Sequence, residues 1–336
     1  MKKLKRIFAV FFCLLLASGI LGGCGKAASS SAPAPAASQS GSKPLKIVTT
    51  IFPEYDWVRE ILGDKADHAE VTMLLDNGVD LHSYQPTADD IIKISDCDLF
   101  LYVGGESDGW VEDALKEATN KDMQVINLLD ALGEQVKEEE VVEGMEAEEE
   151  ESEDEDEPEY DEHVWLSLKN AETLCNAITD ALEEIDPANK DAYAANAASY
   201  LEKLAALDGE YQTVVDNATR KTVLFGDRFP FRYLVDDYGL SYYAAFAGCS
   251  AETEASFETI SFLAGKVDEL GLPCVLTIEG AQHKIAETIV QNSAAKNQSI
   301  LTLNSMQSTT SADAANGTTY LSVMESNLDV LKQALN

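Results

Sequence analysis

Histidine is scarce in this chain. His68, His82, His163 and His283 are all it has, against 60 aspartates and glutamates in 336 residues. Neutral imidazole is a preferred zinc ligand, and carboxylate oxygen suits both zinc and manganese, so the chemistry to look for first is cation coordination. His82 lies in Gly78-Val-Asp-Leu-His-Ser-Tyr-Gln-Pro-Thr87, a turn-rich stretch between an expected strand and an expected helix. Ligand sites in α/β proteins gather in the crevice beyond strand C-termini. His163 lies in Asp161-Glu-His-Val-Trp-Leu166, where an acidic run meets what reads as an apolar strand. Glu279 and His283 end a strand and open a helix four residues apart, which places them on one face. His68 follows a Lys-Ala-Asp surface turn and is given no role. Taken singly, each histidine is more readily a turn or packing residue than a ligand.

The elements that must position these side chains alternate. Strands are expected at 45–51, 69–75, 98–103 and 124–128, with helices at 55–62, 87–94 and 110–118 between them; β-branched or short apolar runs and helical periodicity carry these assignments. Helices follow at 170–185 and 187–215. A second set then has strands at 221–225, 240–246, 274–278 and 299–303 and helices at 231–238, 256–270, 281–295 and 317–335. Strand–helix alternation predicts βαβ units and a parallel sheet. The expected class is therefore α/β: two lobes (44–185 and 216–336), each a mainly parallel sheet flanked by helices, joined by a long linking helix at 186–215. Residues 134–162 break the rhythm with runs such as Glu148–Glu151. Like charges at that density predict a solvated, mobile insertion in the first lobe, serving at most as a weak cation reservoir.

The N-terminus reads as an export signal. Lys2, Lys3, Lys5 and Arg6 precede an apolar run to Leu21, too short and wrongly flanked for a stable span. Leu21-Gly-Gly-Cys24 looks like a lipobox, so residues 1–23 are expected to be removed and Cys24 to carry lipid. Residues 24–43, rich in Ala, Ser, Pro and Gly, are a flexible tether holding the body at the extracytoplasmic face of the cell membrane. The net charge of −36 repels nucleic acid and excludes that class of partner. Cys97, Cys175, Cys249 and Cys274 form no C-x-x-C pair and are expected as buried free thiols, one disulfide being possible in an exported chain. There is no His-Glu-x-x-His, no Gly-x-Ser-x-Gly and no phosphate-cradling glycine loop, so a zinc hydrolase is a weak alternative and no enzyme is expected.

Five segments carry a family resemblance: Ile47–Pro53, His82 through Pro86-Thr87, Asp98–Val103, His163–Leu166 with Lys169-Asn170-Ala171, and Tyr320–Leu328. They resemble the metal-binding ABC solute-binding lipoproteins, the zinc and manganese uptake receptors also described as adhesins. The likeness covers nearly all of the chain beyond the tether except the acidic insertion. It implies a monomer holding Zn2+ (Mn2+ as the alternative) in the cleft between its lobes. The cation would be handed to a membrane permease served by a cytoplasmic ATPase, with surface adhesion as the alternative role. It also implies that His82 and His163 are ligands. The second lobe departs from the family pattern. Strict spacing puts Arg228 at a ligand position, and a guanidinium has no lone pair to give. Asp227, one residue earlier, and His283 are the replacements expected here, with Glu279, Asn304 and Gln307 as further candidates.

Overall fold

The structure, a computed structural model, describes residues 43–146, 159–250, 254–280 and 283–336. The export signal, Cys24, the tether up to Ser42 and the acidic core of the insertion at 147–158 lie outside the described residues. In the first lobe β1 (Leu45–Thr49), α1 (Phe52–Leu62), β2 (Ala69–Met73), α2 (Ala88–Ser95), β3 (Leu99–Tyr102), α3 (Val111–Lys116), β4 (Gln124–Asn127) and α4 (Leu128–Leu132) follow in order. Then come α5 (Leu168–Ile185) and α6 (Lys190–Asn217). The second lobe runs β5 (Thr222–Phe229), α7 (Arg232–Tyr238), β6 (Ser241–Ala247), α8 (Phe257–Leu270), β7 (Cys274–Thr277), α9 (Lys284–Asn292), β8 (Ser299–Thr302), α10 (Ser311–Ala315) and α11 (Tyr320–Ala334).

Each lobe holds one four-stranded parallel sheet, in order β2-β1-β3-β4 and β6-β5-β7-β8. Strand side chains alternate between faces, and in a parallel sheet both faces must be covered. The second sheet obeys this residue by residue. Val223 and Phe225 of β5 and Leu276 of β7 enter the main core, while Leu224 and Val275 between them enter a smaller cluster with Phe246, Leu263 and Ile289 under α8 and α9. The main core is continuous across the molecule, containing Ile47, Leu99 and Phe100 of the first sheet together with Phe225 and Leu276 of the second.

Helix α6 is what joins them. Its buried residues Tyr193, Ala197, Tyr200, Leu204, Leu207, Tyr211 and Val215 recur at three- and four-residue steps, so one stripe faces inward along its length. Twenty-eight residues at about 1.5 Å each make a rod roughly 42 Å long. It packs along α5 and α1 and reaches α7 and α11. The Tyr211 hydroxyl donates to the Met324 carbonyl at 2.6 Å, tying α6 to α11. Helix α11 returns to the first lobe, where the Tyr320 N–H donates to Asp56 Oδ2 (2.9 Å) and its ring meets Trp57 edge-on.

Two expectations are corrected. Residues His163–Leu166 do not form a strand: Val164–Leu166 is a 3-10 turn, closed by Leu166 N–H to His163 O (3.1 Å). An apolar run satisfied by burial in a turn has the same composition as a strand, and Trp165 is fully buried there. The insertion is not solvated throughout. Glu138 bridges Tyr160, Glu146 bridges Phe246 of β6, and Val136, Val142 and Met145 pack on the main core. The apolar residues scattered among its first carboxylates are what fix that arm to the second lobe.

Candidate metal centre

The C-terminal ends of both sheets face one another, and the loops leaving them build the site. His82 sits in a 3-10 turn (Leu81–Ser83) after β2, capped by Asp80, whose Oδ1 accepts from the His82 N–H at 3.1 Å. Thr87 then caps α2 through a reciprocal pair with Asp90, ending the loop at a defined place. His163 arrives from the returning arm of the insertion. Asp161 Oδ1 accepts from both its backbone N–H (2.8 Å) and its ring Nδ1 (3.0 Å). The Asp161 backbone is itself held, its N–H donating to Lys137 O and its carbonyl accepting from the Tyr233 hydroxyl.

The two imidazoles meet across 81 residues of chain, Nε2 to Nε2 at 3.2 Å. Two nitrogens on one tetrahedral zinc, at bonds of about 2.0–2.1 Å, stand roughly 3.3 Å apart, so the spacing already matches a shared ion. The other ring nitrogens are occupied. His163 Nδ1 is on Asp161, and His82 Nδ1 is 2.8 Å from Ser107 Oγ and 3.4 Å from Glu162 Oε2. With both Nδ1 atoms as donors, both Nε2 lone pairs point at the same place. With both rings neutral and His163 Nδ1–H on Asp161, the 3.2 Å contact requires His82 Nε2–H to donate to His163 and Ser107 to donate to His82 Nδ1. Because a hydroxyl both gives and accepts, Ser107 lets the pair switch between these states without losing a hydrogen bond.

The surroundings are anionic and largely dry. His163 is fully buried, and Asp161 and Glu162 are nearly so. Burial alone would lower the His163 pKa, but the Asp161, Glu162 and Asp80 carboxylates outweigh it and the net shift is upward. Burial works to raise Glu162, but its contacts with His82 and Ser107 hold it below the usual carboxylate range. Glu162 Oε1 accepts from the Ser107 N–H at 2.9 Å. A side chain at Gly105 would put its Cβ 2.4 Å from that oxygen, and Gly105 also has φ +80°. Only glycine lets β3's exit loop pass there.

A cavity of about 270 Å3 opens onto this centre, lined by His82 and Cys249 and by the carboxylates of Glu106, Glu139, Glu159 and Glu162. A larger depression of about 680 Å3 lies beside the opposite, N-terminal ends of β1, β3 and β4 and contains no histidine. The converging donors, not the size of the hollow, mark the site.

Among the described residues, the His, Cys, Asp and Glu donors grouped within 4.8 Å of one another are those of His82, His163 and Cys249. Asp227 and His283 are not in that group. Asp227 Oδ1 accepts from the Arg228 N–H (2.9 Å) and Oδ2 from the Ile278 N–H (3.3 Å), tying β5 to the end of β7. Burial raises its pKa. His283 stands at the start of α9, near enough to Asp227 to act on its charge, with its own Nδ1 buried and without a hydrogen bond. Glu279 is consumed by the loop after β8: it accepts from the N–H groups of Ser305, Gln307 and Ser308 and from the Ser305 hydroxyl. The Asn304 oxygen accepts from Met306 N–H. Arg228 reaches across the cleft to Asp80 (2.5 Å), and Gln307, with its NH2 toward Asp80, donates to both carboxylate oxygens.

Comparison with known proteins agrees with this architecture. The model of the ZnuA family, described as zinc-uptake complex component A, periplasmic, matches residues 47–334. The chain belongs to this family. Among ZnuA-family relatives it is 33% identical over 292 residues to the zinc-binding lipoprotein AdcA of Streptococcus pneumoniae, which covers 86% of this chain. The chain spans only about half (55%) of that relative's length. It is 32% identical over 337 residues to the high-affinity zinc uptake system protein ZnuA of Bacillus subtilis, covering 99% of this chain and 98% of that one. The crystal structure of the Zn(II)-bound ZnuA-like domain of S. pneumoniae AdcA superposes with a TM-score of 0.67 at 31% identity, over 87% of this chain and 99% of that domain.

Proposed function

We propose that this chain is the substrate-binding component of an ABC importer for zinc, with manganese as the less favoured cation. It would be held at the extracytoplasmic face of the membrane through Cys24. The observation that carries the reading is the pair of facing Nε2 atoms at 3.2 Å, each on a ring whose Nδ1 is already oriented. Two imidazoles favour zinc over manganese, which prefers an oxygen-rich shell. The zinc-binding names of the relatives and the Zn(II)-bound related domain support the same choice.

In this reading the net charge of −36 raises the local cation concentration, and the carboxylate-lined cavity leads the ion to His82. His82 and His163 take it, Ser107 and Asp161 hold the rings in the tautomer that gives both lone pairs, and burial keeps bulk water from competing. The loaded protein then docks on a membrane permease, and a cytoplasmic ATPase drives import. The site's role is to bind and release; no bond is made or broken in the substrate. Replacing His82 or His163 by Ala removes a direct ligand and is expected to weaken zinc binding at least roughly tenfold. A competition titration against a chromophoric chelator measures it, and wild-type affinity in both folded variants would remove the basis of the proposal.

A further inference from the structure

Two imidazoles do not fill a zinc shell, and the second lobe's oxygen donors are engaged elsewhere. Asp227 is bound to two backbone N–H groups and Glu279 caps the loop after β8, while on the first lobe's side Asp80 is ion-paired with Arg228 and hydrogen-bonded by Gln307. One second-lobe donor does reach the imidazoles. Cys249 follows β6, and its sulfur lies within 4.8 Å of a nitrogen of each histidine, facing the same cavity. Its backbone is fixed, the N–H donating to Glu139 Oε1 at 3.0 Å. The approach is also built for closeness. A Cβ on Gly248 would stand 3.1 Å from His163 Nδ1 and Cε1 and 2.9 Å from the Phe229 carbonyl, so the residue before the thiol has room only for hydrogen.

We propose that Cys249, as its thiolate, is the ligand the second lobe contributes, giving a two-imidazole, one-thiolate site that selects zinc-like ions over manganese. This rests on the import-receptor reading above and supplies its missing donor. Sulfur and nitrogen on one tetrahedral zinc stand about 3.6 Å apart, so the loop has at most about 1 Å to close for the thiol to join the imidazoles on one ion. As the zinc–sulfur bond forms, the thiol proton passes to solvent and the ion gains a soft anionic donor that manganese does not favour. The described residues contain three other cysteines, Cys97, Cys175 and Cys274, all buried, which leaves the half-buried Cys249 as the least covered thiol among them.

The test loads the lipid-free mature chain with Co2+ as a spectroscopic stand-in for zinc. A thiolate-to-cobalt charge-transfer band in the near ultraviolet is expected, and Cys249→Ser should abolish it. The same variant should lower zinc affinity at least roughly tenfold and leave manganese affinity unchanged, so the zinc-to-manganese preference falls by that factor. Should Cys249→Ser fail to fold, alkylation of the wild type decides: zinc protects Cys249 from iodoacetamide and manganese does not. Stoichiometric Co2+ binding that lacks the band but is abolished by His82→Ala overturns the thiolate while leaving the receptor reading intact. Binding that survives both His82→Ala and His163→Ala overturns both.

Discussion

Asp161→Asn isolates how much of the proposed site's metal affinity depends on the negative charge behind the His163 ring. One carboxylate oxygen accepts from the His163 N–H at 2.8 Å and from Nδ1 at 3.0 Å, in a site with almost no solvent. An asparagine oxygen can still accept both, and the Lys137 and Tyr233 bonds keep the backbone in place, so the change is chiefly the loss of charge. A hydrogen bond to a charged partner is worth about 1.5–3 kcal/mol against about 0.5–1.5 for a neutral one, so roughly 1 kcal/mol is lost per bond. The Nδ1 bond matters more once the ring shares an ion's positive charge. The expected loss in zinc affinity is therefore about 10–100-fold, or about 1.4–2.7 kcal/mol, the usual range for partners of a metal-ligating histidine. The assay is zinc competition on Asp161→Asn beside Asp191→Asn, an exposed carboxylate at the start of α6 that changes the net charge equally. Asp161→Ala additionally strands two buried donors and should lower metal-free stability by about 1–3 kcal/mol for each. Equal zinc affinities for wild type, Asp161→Asn and Asp191→Asn, with all three folded, would refute the argument that the charge of this carboxylate strengthens His163 as a ligand.

Other outcomes follow from the same geometry. Glu54 is fully buried, accepting from the Thr50 and Ile51 N–H groups, and burial pushes its pKa up to about 8. The folded chain therefore keeps a proton that the unfolded chain loses near the ordinary carboxylate value, and the stability this gives is lost as pH rises through about 8. Relative to Glu54→Gln, the wild type should lose up to about 1.4 kcal/mol per pH unit between about 4.5 and 8, read by urea melts at several pH values; parallel profiles would contradict it. Gly248→Ala forces its new methyl against His163 and the Phe229 carbonyl, and should cost about 1–3 kcal/mol in thermal or urea unfolding while weakening zinc binding; an unchanged melt would show that the loop yields freely. Finally, the continuous core and the rod of α6 leave little freedom for lobe closure, so scattering profiles of zinc-loaded and zinc-free protein should nearly superpose, and a large change in radius of gyration would contradict that.

Local pattern was enough for much of this protein. The β-branched runs at Leu45, Ala69 and Gln124 and the short apolar run at Leu99, alternating with helical periods, specify parallel α/β units because side-chain periodicity is a property of the chain itself. The stripe on α6 was legible for the same reason, and so was the suspicion attached to His82 and His163, two rare ligand-type residues at loop positions. What sequence could not decide is whatever depends on residues distant along the chain. The turn at Val164–Leu166 has the composition of a strand, and only packing around Trp165 shows otherwise. Asp227, His283 and Glu279 had the right chemistry and the right kind of loop, but backbone N–H groups from neighbouring strands and turns hold Asp227 and Glu279, and His283 stands beside Asp227 outside the group around His82. Cys249 read as one more buried thiol, although a glycine-cysteine step just past a strand was a signal of a close approach. Its position beside two imidazoles exists only because two sheets, sharing one core, aim their C-terminal loops at the same point. Chemical type and local conformation are written residue by residue, whereas coordination is a coincidence of atoms in space that only the folded packing supplies.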